Sequence, residues 1–341
     1  MLGNYFLSCG REMKIYRTIN DCLNWYRHWG TLPILSWIKG ADLFRAGRFK
    51  EAVDFYQEGI KKHPTHPARE CAQFDLSYCL YRLERLDLAE KLLSELIQKR
   101  VDLKEVYLLY SRIKAATGHI VSAKNILELA SDIFVEDPQI LSCLAHSFMY
   151  ADSSDEDVDS IRERLSNVRR SLDMEEVNYL HVETAIAHID IRRGDLAKGE
   201  RVLSRVLSTG QAPYEAVVLR SERLLETGRV LPAREQLGRA MAACPRDPRP
   251  MILLARSYLR AGNDYNAEWA KQLAEAACRA SFWQNAEAVS VLARAFEETG
   301  DSDSAEIFIE RIKNLSSSSE LSVSFYSSSL LQLRSQKVSN G

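Results

Sequence analysis

The sequence predicts an all-α protein in which short helical hairpins stack in a row. The first observation is that residues 34–64 read as two amphipathic helices joined by a tight turn at Gly47. The second is that this turn recurs along the chain at a nearly constant interval. A hairpin of this size cannot bury its own apolar face, so it must stack on copies of itself. An apolar fraction of 46% is enough for such a shared core.

The first hairpin carries small residues where its two helices must meet. Gly40 lies in the first helix, and Ala52 and Gly59 lie in the second. Two antiparallel helices approach closely only where a side chain is nearly absent, so these positions are predicted to allow close packing. Pro64 follows and ends the second helix.

Later stretches repeat this pattern at a nearly regular spacing. The interval between successive turns is most often about 34 residues. It has this length in four of seven cases, and the other three are somewhat longer. The turn positions are Gly47, Glu84, Gly118, about Asp152, Gly194, Gly228, Gly262 and Gly300. The small and apolar pattern of the first unit is carried by Gly40, Leu43, Gly47, Ala52, Tyr56, Gly59 and Pro64. A later unit matches it with Ser221, Leu224, Gly228, Ala233, Leu237, Ala240 and Pro245.

This pattern resembles the tetratricopeptide repeat, a helix-turn-helix unit with the same spacing. The resemblance covers most of residues 34–314 and implies a right-handed superhelical solenoid of about eight helix-turn-helix repeats. Residues 1–33 are an N-terminal segment with a predicted capping helix over 11–29, and an aromatic docking patch is the alternative for it. Residues 315–341 form a serine-rich tail, for which the prediction is disorder.

The fourth unit departs from the pattern. Its turn, residues 151–159, is acidic and has no glycine. The spacing of its Asp and Ser residues superficially suggests calcium, but the glycine and the terminal glutamate of a calcium loop are missing. The prediction is therefore a solvated loop in which Asp or Ser caps the next helix.

Charge and cysteine content indicate which partners the chain binds and in which cellular compartment it folds. The formal net charge is -2, with 45 basic and 47 acidic residues, so no global field draws the chain to nucleic acid or to an anionic membrane. Seven scattered cysteines without a CxxC pair indicate buried thiols in a reducing compartment. No apolar run reaches the roughly 18 to 20 residues of a membrane span, although a membrane-associated complex stays open as a partner. The predicted location is cytoplasmic.

Motifs for catalysis and for cofactors are missing from the sequence. It has no GxSxG, no phosphate-binding glycine loop, no HExxH and no Rossmann fingerprint. His63 and His66 make a close pair, but no third ligand is clustered with them, so exposed loop histidines are the better interpretation. The prediction is a protein that is not an enzyme and that has no cofactor and no metal.

The resemblance implies that one face of the first helix of each repeat lines a concave groove. Candidate partner-binding residues on that face are Trp37, Phe44, Arg45, Phe74, Tyr78, Tyr81, Arg82, Arg112, His146, Tyr150, His188, Arg192, Arg256, Arg260 and Arg294. Aromatic anchors flanked by arginines are typical of protein-binding hot spots. Two alternatives stay open: the aromatic rings pack between neighbouring repeats, and the arginines are merely solvated.

The predicted function is a non-catalytic scaffold or adaptor that holds a peptide or a partner domain in its concave groove. One alternative is a fixed structural subunit of a larger assembly, such as envelope or polysaccharide biogenesis machinery. Its contacts would then lie on the convex face or at the ends, and the isolated chain would self-associate. Another alternative is a regulator that acts in trans on a catalytic partner.

Overall fold

The structure is a computed structural model that describes residues 34–151, 153–174, 176–260 and 266–318. Those residues form sixteen α-helices and no strand. The helices are α1 Leu35–Arg45, α2 Phe49–Lys62, α3 Arg69–Arg82, α4 Leu86–Gln98, α5 Lys104–Ala116, α6 Ile120–Ile133, α7 Pro138–Tyr150, α8 Asp155–Arg170, α9 Val177–Arg192, α10 Leu196–Ser208, α11 Tyr214–Glu226, α12 Val230–Ala243, α13 Pro248–Tyr258, α14 Ala267–Ala280, α15 Ala286–Glu298 and α16 Ser302–Ser318.

Consecutive helices pair into eight hairpins, each with an odd-numbered first helix and an even-numbered second helix. The predicted all-α repeat solenoid of about eight hairpins is thereby confirmed. The predicted capping helix over residues 11–29, the turn at Gly262 and most of the serine-rich tail lie outside the described residues. The last helix, α16, continues to Ser318, which is past the predicted start of that tail.

The chain divides into two compact units, with the boundary inside α5 between Tyr110 and Ser111. We call them unit 1, which contains α1–α4 and the start of α5, and unit 2, which contains the end of α5 and α6–α16. Each unit is described by itself below.

The predicted turn positions at Gly47, Glu84, Gly118, Gly194, Gly228 and Gly300 adopt the backbone conformation that their role requires. Gly47 has φ +74° and Gly194 has φ +88°, a left-handed conformation that a residue without a β-carbon adopts at no steric cost. Glu84 stands at the equivalent turn and has φ +63°, which confirms that it replaces the turn glycine.

Small residues in unit 1 give aromatic rings room to enter between the helices. A β-carbon at Gly40 would lie 3.2 Å from the ring of Tyr56, and one at Gly59 would overlap the indole of Trp37. Trp37 and Tyr56 are accordingly among the most deeply buried side chains of the unit. The absence of a side chain at Gly40 and Gly59 therefore lets a large ring of the facing helix pack against the backbone at each position.

Helix starts in unit 2 are fixed by capping side chains. The carboxylate of Asp137 accepts hydrogen bonds from the backbone N–H groups of the first turn of α7, and Asp247 does the same for α13. Both caps precede a proline at the start of the helix, where its missing N–H costs nothing. The hydroxyl of Ser154 accepts from the N–H of Asp157 and starts α8, as predicted for the acidic turn.

Unit 2 curves until its first and last hairpins meet. The side-chain amide of Asn285, at the start of α15, donates to the backbone carbonyl of Ala116, at the end of α5, over 3.1 Å. These two residues are 169 positions apart in the chain. Both belong to first helices, so the row of first helices α7, α9, α11 and α13 forms the inner face of this curve, and the second helices form its outer face.

Candidate functional site

Four consecutive first helices of unit 2 bring polar and aromatic side chains together on the inner face. We call this group the inner-face cluster. Its members are His146 and Tyr150 from α7, His188 from α9, Tyr214 and Glu215 from α11, and Arg249 from α13. Residues from separate repeats meet here because one face of each first helix points towards the centre of the curve.

Arg249 is the charged centre of the inner-face cluster. Its guanidinium donates two parallel hydrogen bonds to the Glu215 carboxylate, over 2.9 and 2.8 Å, and another to Asp247 over 2.9 Å. Burial raises the pKa of Glu215, but the attraction and hydrogen bonds of Arg249 outweigh it and hold that pKa at about 2. The side chains of Arg249 and Glu215 keep 30% and 28% of their surface accessible, so they line a space instead of filling a core.

Three rings lie beside this ion pair. The Nδ1 atoms of His146 and His188 are 2.9 Å apart, and the Tyr150 ring meets the His188 ring edge-on with centroids 5.2 Å apart. Burial, together with the charge of Arg249, lowers the pKa of both histidines. A contact between two Nδ1 atoms requires one donor and one acceptor, so both imidazoles cannot be cationic there. At least one of the two imidazoles is therefore neutral, and the lowered pKa of each favours the neutral form.

A second group of charged side chains lies on α11, α13 and α15. Burial raises the pKa of Glu222 to about 7, and the charges that act on this carboxyl group include Arg249, Glu215 and Glu287. Glu287 forms an ion pair of 2.6 Å with Arg256. The inner face thus continues beyond the inner-face cluster as a mixed surface of acids and arginines.

The predicted residues of unit 2 divide into two groups. His146, Tyr150 and His188 belong to the inner-face cluster. Arg112 and Arg192 are exposed beside it, where the charge of Arg112 lowers the pKa of Glu215 and that of Arg192 lowers the pKa of His188.

The other predicted arginines of unit 2 have two different surroundings. Arg256, whose ion pair with Glu287 is described above, remains 45% exposed. Arg260 donates to the carbonyl of Leu225, and Arg294 donates to the carbonyl of Leu259 over 3.3 Å. These last two side chains join the end of one first helix to the next, which is a structural task.

The predicted aromatic residues of unit 1 are placed differently from what the groove pattern implies. Trp37, Phe74 and Tyr81 are 1%, 2% and 6% exposed, so the structure gives these three rings to the core. Their repeat positions face the neighbouring helix, and burial of a ring is strongly favourable wherever a neighbour can cover it.

The other predicted residues of unit 1 are only partly buried. The rings of Phe44 and Tyr78 lie 5.1 Å apart. The guanidinium of Arg82 stands 4.6 Å above the ring of Phe49 and donates to the Tyr78 hydroxyl over 3.2 Å. Arg45 forms an ion pair of 3.2 Å with Asp42 on its own helix.

Sequence reasoning missed several members of the site. Tyr214, Glu215 and Arg249 lie near the starts of first helices. One signal was available for the ion pair: Glu215 and Arg249 are 34 residues apart, which is one repeat, so opposite charges occupy the same position in successive repeats. Stacked repeats bring such positions side by side.

Two further features concern metals and membranes. Across the described ranges, no three His, Cys, Asp or Glu side chains are grouped so that they could hold a metal ion. The loop histidine His66 accepts a hydrogen bond from the N–H of Ala68 over 3.1 Å, which gives it a local structural role. None of the helices α1–α16 has the length and apolar character of a membrane span.

Comparison with known proteins agrees with this architecture. A tetratricopeptide-repeat family model matches residues 43–113, and no curated protein matches the chain. A solved tetratricopeptide repeat protein from Parabacteroides merdae is similar, with 13% identity and a TM-score of 0.53 over 76% of this chain and 97% of that one. The human IFIT1 dimer with PPP-AAAA is similar with 17% identity and a TM-score of 0.50 over 82% of this chain and 66% of that one. Identities this low show a shared fold alone.

Proposed function

We propose that this chain, which has the tetratricopeptide-repeat fold, is a non-catalytic adaptor that holds a peptide segment or a partner domain against the inner face of unit 2. The fold is one that generally mediates contacts between proteins. The observation that supports this surface is the inner-face cluster, in which side chains of four successive first helices converge. Tyr150, Glu215 and Arg249 stay partly accessible there.

The chemistry of the inner-face cluster suits a protein ligand. Tyr150 leaves 39% of its surface exposed and stands 5.9 Å from the guanidinium of Arg249, so an aromatic anchor is held in place by a fixed cation. Tyrosine and arginine dominate the energy of protein interfaces because they combine apolar area with directional hydrogen bonds. The ion pair with Glu215 keeps Arg249 in one orientation before a ligand arrives, which lowers the ordering cost of binding.

A photo-crosslinking experiment tests this surface in the full-length chain. A photoreactive phenylalanine analogue replaces Tyr150 in one variant and Leu231 in a matched control. Leu231 is 65% exposed and lies on the second helix α12, which belongs to the outer face. We expect a light-dependent adduct with one partner from position 150 and none from position 231, identified by mass spectrometry. Adducts of equal yield from both positions would contradict the inner-face assignment.

A fixed structural subunit of a larger assembly is the second candidate, and one observation favours it. Large apolar side chains are exposed on second helices: Trp269 is 57% exposed on α14, and Leu231 is 65% exposed on α12. Light scattering after size exclusion separates the two functions. A monomer supports the adaptor, whereas self-association that Trp269→Ser abolishes supports the assembly subunit. The predicted cytoplasmic location stays a prediction for either function.

A further inference from the structure

A cleft opens on the outer side of unit 2, between the second helices α8 and α10, with the first helix α9 as its floor. Its volume is about 320 Å³. Five cationic side chains and two carboxylates line it, which gives a formal charge of +3. The cations are Arg162, Arg169 and Arg170 from α8 and Lys198 and Arg205 from α10.

The two carboxylates lie at the floor of the cleft, and each forms ion pairs with two cations. Glu183 pairs with Arg169 over 2.9 Å through one oxygen and with Arg205 through the other. Asp190 pairs with Arg162 over 2.8 Å through one oxygen. Its other oxygen lies 2.9 Å from the ammonium of Lys198. The Glu183 and Asp190 side chains are only 2% and 4% exposed, so each acid orients two cations and presents almost no negative surface to solvent.

The cations, in contrast, face the solvent. The side chains of Arg162, Arg169 and Arg205 are 33%, 43% and 63% exposed, and that of Lys198 is 43% exposed. Each arginine uses only part of its five N–H donors on its carboxylate. The surface open to a ligand is therefore cationic and rich in unused donors.

We propose that this cleft binds a phosphate oxyanion, either free inorganic phosphate or the phosphoryl group of a phosphorylated side chain. Arginines held in fixed directions offer paired N–H groups that match the oxygens of a phosphoryl group. The volume lies at the small end of ligand pockets, which run from about 300 to 1,000 Å³, and it suits a phosphoryl group with its attached side chain. Glu183 and Asp190 lie two helical turns apart on the outward face of α9, whereas His181 and His188 lie on its inward face. The cleft is therefore separate from the inner-face cluster, and the proposal does not depend on the adaptor function.

Calorimetric titration of the full-length chain with inorganic phosphate tests the proposal. Chloride at matched ionic strength is the control, because simple screening would affect both salts alike. We expect saturable binding of phosphate and no saturable heat with chloride. Equal behaviour of the two salts would overturn the proposal.

One variant removes a cation of the cleft without breaking an ion pair. The Arg170 guanidinium donates to the side-chain oxygen of Asn167 and not to either floor carboxylate. We expect Arg170→Gln to weaken phosphate binding by about tenfold, the effect of one charge-assisted hydrogen bond. Arg229→Gln is the matched control, because Arg229 is exposed at the start of α12 and does not line the cleft. Unchanged affinity in Arg170→Gln, or an equal loss in both variants, would overturn the proposal.

Two peptides identify the source of the oxyanion. A phosphoserine peptide and its unphosphorylated form are each titrated into the full-length chain, with and without inorganic phosphate. If the phosphopeptide binds, the unphosphorylated peptide does not, and inorganic phosphate competes with the phosphopeptide, the cleft is assigned to a protein-borne phosphoryl group. Binding of inorganic phosphate without the phosphopeptide assigns it to the free anion, and binding of neither overturns the proposal.

Discussion

Units 1 and 2 share one repeat geometry and use the same helix positions for different purposes. In unit 1 the rings of Trp37, Phe74 and Tyr81 are buried, so first-helix side chains make the core. In unit 2 the equivalent helices place Tyr150 and Arg249 on an inner face where they stay partly accessible. The position in the repeat fixes the direction of a side chain, and the neighbouring repeat decides whether it is covered.

The buried titratable groups of the two units also differ. In unit 1 the carboxyl group of Asp75 is 5% exposed and accepts a hydrogen bond of 3.0 Å from Tyr56, and burial raises its pKa to about 7. In unit 2 burial lowers the pKa of His181 to about 4. Desolvation favours the neutral form in both cases, which is the protonated acid and the deprotonated base. Titration of Asp75 and titration of His181 are therefore expected to change the free energy of unfolding with pH in opposite directions.

The largest expected effect comes from Arg249→Met in unit 2. The substitution keeps the apolar stem but leaves the carboxylates of Glu215 and Asp247 without their shared cation. A carboxylate that loses its partner in a poorly solvated site is costly, so we expect the free energy of unfolding to fall by about 3 kcal/mol. Urea unfolding followed by circular dichroism measures this loss.

Two comparisons sharpen that result. Glu215→Gln combined with Arg249→Met removes both charges, and we expect it to recover part of the stability lost in the single variant. Arg229→Met removes an exposed arginine and should change the free energy of unfolding by less than about 0.5 kcal/mol. If Arg229→Met costs as much as Arg249→Met, the ion pair is not what stabilises the inner face.

The sequence predicted the repeat fold well because the period depends on local requirements. A turn in the left-handed conformation needs glycine or a tolerated substitute, and small residues must stand where helices touch. These requirements recur in every repeat and can be read from a single chain, as the turns at Gly47 and Glu84 show. Helix caps such as Ser154 are local in the same sense.

Exposure could not be predicted in the same way, because it depends on contacts between distant residues. Trp37 is buried against a helix that approaches at Gly59, whereas Tyr150 faces the space that the curve of unit 2 leaves open. That curve is closed by a hydrogen bond between Asn285 and Ala116, which no short pattern reveals. The pairing of Glu215 with Arg249 follows the repeat period and could have been found by aligning the repeats by position.

A smaller effect is expected from Asp75→Asn in unit 1, and it depends on pH. The pKa of the Asp75 carboxyl group is about 7 in the folded chain, whereas the ordinary value of 3.8 applies to the unfolded chain. Between pH 3.8 and pH 7 the folded chain therefore binds a proton that the unfolded chain lacks. The free energy of unfolding of the wild type therefore falls as pH rises from 4 to 7. An asparagine carries no charge, so we expect the variant to gain about 2 kcal/mol over the wild type at pH 8 and little at pH 4.

Urea unfolding at pH 4, 6 and 8 measures that difference. Tyr56→Phe is the control, because it removes the hydroxyl that donates to Asp75 without removing the acid. It should destabilise the chain more at pH 8 than at pH 4, since a charged acid depends more on its donor than a neutral one. A constant difference between Asp75→Asn and the wild type at all three pH values would show that Asp75 does not titrate in this range.

The smallest expected effect comes from His181→Gln in unit 2. The pH dependence that it removes has the opposite sign to that of Asp75. Burial and the charges of His146 and Arg112 lower the pKa of His181 from 6.5 to about 4, while Glu215 opposes them. Between pH 6.5 and pH 4 the unfolded chain binds a proton that the folded chain lacks, so the wild type loses stability as pH falls.

Urea unfolding between pH 7 and pH 5 measures this loss and avoids the range in which Glu215 takes up a proton in the folded chain. We expect the wild type to lose more stability than His181→Gln over this range, by less than about 1.4 kcal/mol per pH unit, the limit for one proton. Identical slopes would show that His181 stays solvated, and the inner face would then be more open than the packing around the inner-face cluster indicates.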